Sequence, residues 1–412
     1  MFKVVQIELR VLFNFPYPPA WISFIGIIVF ILIFSKYDLS LILFIGTTVF
    51  GLLSQVNVWS IFQTTVFDFS VILLAVIMFF IPLLGGLMQQ TNLMMETIER
   101  MKISNKIALM LTPALFGLLP VAGGALMSAP LVDQIDPSLK AEQKIAINVW
   151  FRHLLVFIYP LSQVILICTE IAGLNQYRTV LFLIPPFLVM GAAGYWFLIR
   201  PVQEKVNNHT RDFKKVARNL IPLLLAPLLD LISRLVFNWK YPEIVTIIGL
   251  ILSILLIYSY TKFELSLLPT IMGKMKIWRF PLLIGAIFYF LNVFNASGVP
   301  MQIGSLQMSF FLLMVLGFFL GIATGRNQMP FSLLIPIYLV QFQVNIMPMA
   351  EFVSLYVAIF TGYLLTPLHP CLAYSIKYFD SNYWKSLKML LPPAIFSLIS
   401  VFVFYTSYSL FR

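Results

Sequence analysis

Charge is what this chain has least of. Asp, Glu, Lys and Arg make up 10% of its 412 residues, against 60% hydrophobic residues and a mean hydropathy of +0.94. So much apolar surface cannot be enclosed in one water-soluble core, which excludes a soluble globular protein. Cysteine is nearly absent too: Cys168 and Cys371 both lie within or at the edge of apolar segments, so neither a disulfide framework nor a thiolate metal site is expected. There are three histidines, one of them (His209) in a polar stretch, and they form no ligand cluster at metal spacing along the chain. The expectation is therefore no metal and no cofactor. The sequence contains no GxxxxGK[ST], HExxH or GxSxG motif and no paired carboxylates within an apolar segment, which argues against direct ATP drive and against an enzyme. Strand-type alternation is missing. The net charge of +11 has no soluble basic module to carry it, so it reads as membrane orientation and not as a nucleic-acid surface. The opening residues mix charge with apolar residues and predict no cleavable signal peptide.

What is there instead is a series of apolar runs. A bilayer span needs about 20 apolar residues. That length predicts ten crossings, near residues 17–34, 39–53, 69–88, 145–170, 178–199, 220–238, 243–261, 281–296, 352–372 and 389–410. The only long polar stretch, residues 200–219, reads as a linker with helical tendency between two halves, 1–199 and 220–412. Residues 89–106 read as an amphipathic segment lying along the membrane interface. If the linker is cytoplasmic, alternation places 19 of the 27 Lys and Arg residues on that side, in agreement with the positive-inside rule, and puts both termini outside the cytoplasm.

Two further apolar segments are broken at corresponding places. FGLLPVAGGALMSAPLVD (116–133) carries Gly123, Gly124 and Ser128 before Pro130; GFFLGIATGRNQMPFSLLIPI (317–337) carries Thr324, Gly325, Arg326 and Asn327 before Pro330. Open backbone in a membrane is tolerated only where it is buried in protein or lines a cavity, so paired breaks of this kind point to a solute site. We read them as re-entrant hairpins near 107–132 and 306–340. With three spans before and two after each, the halves form inverted-topology repeats. The glycines allow close approach and bare N–H groups, Ser128 can cap a returning helix, and Arg326 offers a fixed charge flanked by hydroxyl and amide groups, a set suited to a carboxylate or other oxyanion.

Ionisable side chains inside spans are few, and each is a candidate because burying one unpaired is costly. Asp230 and Arg234, at i and i+4, can neutralise each other. Arg152 and His153 follow the first break. His369 follows the second, and FRHLLVFIYPLSQ (151–163) resembles TGYLLTPLHPCLA (361–373) with Pro160 against Pro370. Imidazole titrates near neutral pH, so His153 or His369 is a candidate to carry a coupling proton, alongside the bland alternative of a hydrogen-bonded core histidine.

The stretches PVAGGALMSAPLVDQI, INVWFRHLLVFIYPLSQ and GIATGRNQMPFSLLIP are similar to the domain of unknown function 401 family of integral membrane proteins, within the ion-transporter superfamily of citrate, gluconate-type and sodium/dicarboxylate carriers. The resemblance covers nearly the whole chain. It implies a scaffold part and a transport part built from the hairpins and the broken helices after them, an elevator-type mechanism, and a homodimer through the scaffold. The Ser-Asn-Thr signatures of the dicarboxylate branch are absent, so neither its substrate nor its sodium dependence carries over. The expected function is a secondary transporter of a small anionic solute in the cell membrane, a symport driven by protons or sodium. The alternatives are a channel or subunit of a larger complex, or an intramembrane enzyme.

Overall fold

The computed structural model describes residues 18–34, 37–101, 103–118, 124–204, 212–237, 239–304 and 308–410. Among them the chain is helical and contains no β-strand. The first half holds α1 (Ala20–Ile33), α2 (Leu39–Leu53), α3 (Val58–Val66), α4 (Phe69–Gln90), α5 (Leu93–Glu99), α6 (Asn105–Gly117), α7 (Gly124–Ile135), α8 (Ala141–Arg152), α9 (Leu154–Ile158), α10 (Gln163–Ala172) and α11 (Gln176–Gly194), the last running on through a π-helical turn at Tyr195–Ile199. The second half holds α12 (Phe213–Val236), α13 (Glu243–Thr261), α14 (Leu267–Met275), α15 (Arg279–Ala296), α16 (Val299–Gly304), α17 (Phe310–Thr324), α18 (Gln328–Gln341), α19 (Met349–Leu365), α20 (Pro370–Tyr378) and α21 (Tyr383–Leu410).

Small polar residues set where these apolar helices start, because lipid offers no partner for the first free N–H groups. Asp68 accepts from the Val71 amide to open α4, Ser162 from Ile165 to open α10, Asp212 from Lys215 to open α12, and Ser309 from Leu312 to open α17.

Among the described residues, seven helical segments are long and apolar enough to cross a bilayer: Phe69–Gln90, Gln176–Ile199, Phe213–Val236, Glu243–Thr261, Arg279–Ala296, Met349–Tyr378 and Tyr383–Ser407. The bent pair Ala141–Ile158 and Gln163–Ala172, turning by 46°, makes an eighth if counted as one span. The protein is a multi-pass membrane protein. The sequence reading of ten crossings is met only in part, since α1 and α2 have 14 and 15 residues and fall short of the usual span length. The outer helices α11, α12, α13 and α21 expose large apolar side chains such as Leu181, Leu188, Leu228, Ile232, Leu255 and Ile399 along their lengths. Helix α19 (Met349–Leu365) is instead buried along nearly its whole length and forms the centre of the molecule.

The contacts come in corresponding pairs from the two halves. The pairing of α1 with α2 matches α12 with α13, α2 with α15 matches α13 with α4, and α5 with α12 matches α16 with α1. Likewise α6 with α8 matches α17 with α19, and α7 with α20 matches α18 with α10. One group of helices, α1–α4 and α12–α15, therefore packs mainly on itself. The other is built from α6–α11 and α17–α21.

Asp230 ties part of this frame together. Fully buried on α12, it accepts from Gln176 Nε2 (2.8 Å) and Tyr177 Oη (2.6 Å) on α11, from Thr246 Oγ1 (2.7 Å) on α13, and from Arg234 Nε (3.0 Å) on its own helix. Removing the carboxylate takes the shared acceptor from four donors at once, and breaking a buried charge pair costs about 3–5 kcal/mol. Asp230→Ala is expected to lower the thermal midpoint of the purified protein sharply; an unchanged midpoint in a thermal-unfolding scan would rule out this role.

The segment read as lying along the interface is held by protein. Leu93, Met94 and Thr97 of α5 are buried, and Asn219 Nδ2 on α12 donates to Glu96 at 3.0 Å.

Candidate functional site

Consecutive helices pack on each other at both predicted hairpins, α6 on α7 and α17 on α18. In the second, α17 ends in Gly325 at φ +62°, a left-handed conformation glycine adopts without strain. A Cβ there would lie 2.6 Å from the Cβ of Leu368, so the turn is pressed against the break between α19 and α20. Pro330 sits in the first turn of α18, where its missing N–H costs nothing, and Pro130 lies inside α7. Gly123 lies outside the described residues, and Gly124 is the first residue of α7.

The polar groups of the second tip are spent on holding the turn and docking it. Thr324, buried, donates to the carbonyl of Arg326 at 2.7 Å and accepts from the Arg326 amide at 3.3 Å. The Arg326 guanidinium donates from Nη2 to the Tyr37 carbonyl at 3.0 Å, between α1 and α2. Beside it Asp38 caps α2 and pairs with Arg279 of α15 at 2.7 Å. Asn327 is buried and makes no side-chain cap.

The other candidates converge on the two broken helices. The first breaks at residues 159–162 and the second at 366–369. Pro160 therefore stands in the place of Pro367, not of Pro370, and His369 has Ser162 as its counterpart: the sequence pairing of the two stretches was out of register. His153 lies at the end of α8, ahead of the first break, while His369 precedes Pro370 at the start of α20. They meet all the same, because α8 and α20 pack together. Their rings are 4.6 Å apart at 67°, and Tyr363 lies 4.1 Å from His369.

A polar stripe runs along this seam. Asn148, fully buried on α8, donates to Ser375 Oγ on α20 at 2.9 Å and to the Ala125 carbonyl on α7 at 3.2 Å; it accepts from Ser128 Oγ at 2.6 Å. Ser375 donates on to the carbonyl of Cys371 at 2.7 Å. One turn along α8, the Arg152 guanidinium is within hydrogen-bonding reach of the Cys371 thiol. Arg152 is 4% exposed, its Nη1 has no hydrogen-bond partner, and no carboxylate lies within ion-pair distance of it among the described residues. Both ring nitrogens of His369 are likewise buried without a partner.

Sequence reasoning named Ser128, Arg152, His153 and His369 but missed Asn148, Ser375 and Cys371. The available signal was spacing: Asn148 with Arg152, and Cys371 with Ser375, each put two polar side chains on one helix face at i and i+4. Spacing along the chain gave no ligand cluster, and the folded chain brings three donor side chains together. Nitrogen and sulfur atoms of His153, His369 and Cys371 all lie within 4.8 Å of one another. Residues far apart along the chain escape any spacing rule.

Beside the first hairpin lies a cavity of about 170 Å³, lined by Gln89, Asn92, Phe116, Met127, Pro130 and Gln134 among others. It separates α7 from the turn between α4 and α5.

A solved structure, that of the YdaH transporter of Alcanivorax borkumensis, which is described as having an unusual topology, is similar to this chain with a TM-score of 0.51 and 16% identity, covering 82% of this chain and 86% of the other. At that identity the likeness is one of fold. No curated protein matches. The family model for proteins of unknown function designated DUF401 matches residues 20–407, almost the whole chain, and the protein belongs to that family.

Proposed function

We propose that this protein is a secondary active transporter, carrying a small anionic solute across the cell membrane by alternating access. The observation that carries the reading is Arg152: a guanidinium enclosed at the centre of a membrane protein, with a free N–H and no carboxylate within ion-pair distance among the described residues. Such a charge costs several kcal/mol unless something neutralises it, and a carboxylate or other oxyanion delivered from solution is the partner it lacks. Its neighbours are chemically apt. Asn148, one turn away on the same helix face, and Ser128, bonded to it from α7, are neutral hydrogen-bonding groups, and the two imidazoles beside Arg152 can take up a coupling proton. Sodium held by hairpin carbonyls is the other candidate drive.

Arg326, Thr324, Gly325 and Asn327 belong to the same reading as the tip of the second hairpin, with Gly123, Gly124 and Ser128 in the first. The paired contacts of the two halves support inverted repeats, with the broken helices and hairpins as the moving part and α1–α4 with α12–α15 as the scaffold, an elevator-type arrangement. The hydrogen bond from Arg326 to the α1–α2 loop then crosses the boundary between the parts, and the cavity beside the first hairpin lies on the same boundary. The linker would be cytoplasmic, and a homodimer would form through the scaffold. The fold likeness to a protein described as a transporter is consistent with this.

The test is flux in proteoliposomes, after a thermal-shift screen against small carboxylates and phosphates has named a ligand. A carrier gives saturable uptake and counterflow of labelled solute. Uptake without saturation or counterflow would replace this reading by a channel.

A further inference from the structure

We infer that His153, His369 and Cys371 form a binding site for a thiophilic d10 metal ion, Zn2+ or Cu+. The three donors come from three places, the end of α8, the break before α20 and the first turn of α20, and their ligand atoms lie within 4.8 Å of one another. Metal–nitrogen and metal–sulfur bonds of about 2.0–2.3 Å put neighbouring donors about 3.5 Å apart, so closing on an ion requires only rotamer adjustment.

Each donor is also prepared for the task. His153 Nδ1 lies 2.7 Å from the Val149 carbonyl, which fixes the ring proton there and leaves Nε2 with a lone pair, the arrangement that orients metal-bound histidines generally. His369 is fully buried with neither ring nitrogen partnered, a cost that a coordinate bond removes. Cys371 lies beside the Arg152 guanidinium and supplies the sulfur donor of the set. Two imidazoles and one thiolate, with no oxygen donor, select soft or borderline ions and reject magnesium, calcium and sodium. The neighbouring guanidinium disfavours a dication taken alone; it suits Cu+, or Zn2+ whose fourth position holds an anion. Bound there, the ion would clamp α8 to α20 across the seam between the two broken helices. The site shares its two imidazoles with the proton-coupling part of the transport reading but not Arg152, so the two are tested apart: metal stoichiometry tests the one and solute flux the other.

The experiment is metal analysis of the full-length protein in detergent, after incubation with Zn2+, or with Cu+ under reducing conditions, and desalting. One equivalent per chain of one of these ions is expected, lost in Cys371→Ser and in His369→Gln and retained in His209→Ala. Cobalt should give a sulfur-to-metal charge-transfer band that Cys371→Ser abolishes. Cys371→Ser changes one atom, so it carries the test even if His369→Gln misfolds. Binding of neither ion by the wild-type protein, or binding that survives Cys371→Ser undiminished, would overturn the site.

Discussion

Arg152→Gln is expected to abolish solute uptake while yielding a protein that folds and, without solute, withstands more heat than the wild type. Both effects have one cause. The wild-type protein holds a buried guanidinium with a free Nη1 and no carboxylate within reach among the described residues, and the bilayer makes that unfavourable. Glutamine keeps length and hydrogen-bonding groups but removes the charge, so the apo state gains. The solute-bound state loses a charge pair instead. Removing one partner of a buried, hydrogen-bonded ion pair costs about 2–4 kcal/mol, so affinity should fall by about 30- to 1,000-fold. Arg152→Lys should fall between, since an ammonium keeps the charge without the planar fork that grips a carboxylate. Thermal-shift titration and counterflow measure both arms. Unchanged affinity in Arg152→Gln would remove this residue from the solute site and with it the main support for an anionic cargo.

The second large effect is steric. Added to Gly117, a Cβ would overlap the Arg152 carbonyl, and added to Gly362 it would overlap the Phe318 carbonyl; at Gly321 it would stand 2.5 Å from the Ile359 carbonyl. Each glycine lets one arm of a hairpin lie directly on a broken helix, the close approach by which helices associate when lipid removes the hydrophobic drive between them. Backbone cannot yield as a side-chain end can. Gly117→Ala and Gly362→Ala should therefore each cost about 3 kcal/mol or more. Gly191→Ala and Gly285→Ala, where nothing lies within 4 Å of the added methyl, should be neutral or gain about 0.5–1 kcal/mol from helix propensity. Size-exclusion profiles after a heating series separate the two classes, and equal behaviour of Gly117→Ala and Gly191→Ala would show that this packing is not rigid.

Much of the fold is legible along the chain. The long runs at 69–88, 178–199, 220–238, 243–261, 281–296, 352–372 and 389–410 all appear as spanning helices, because a stretch of apolar residues of that length has few other places to go. The second hairpin turns where Gly325 interrupts the pattern. The candidate site is less legible. Arg326 drew attention through its polar neighbours, yet those neighbours close the turn and the guanidinium docks on the Tyr37 carbonyl. Arg152 looked like one intramembrane charge among several. Its local sequence offers no acid such as Asp230 gives Arg234 at i−4, but only the packing shows that no carboxylate reaches it from another helix among the described residues and that it lies beside a thiol.

The sequence by itself determined that the protein lives in a membrane, most of the segments that cross it and where two apolar segments are interrupted, since these follow from composition and from patterns only a few residues long. That Arg152 has no carboxylate beside it among the described residues, and which histidines meet a cysteine, was decided by the tertiary structure alone. Those facts depend on α8 and α20 lying side by side, and side-by-side packing of segments distant in the chain is set by the shapes of whole helices, above all by glycines that let backbone touch backbone.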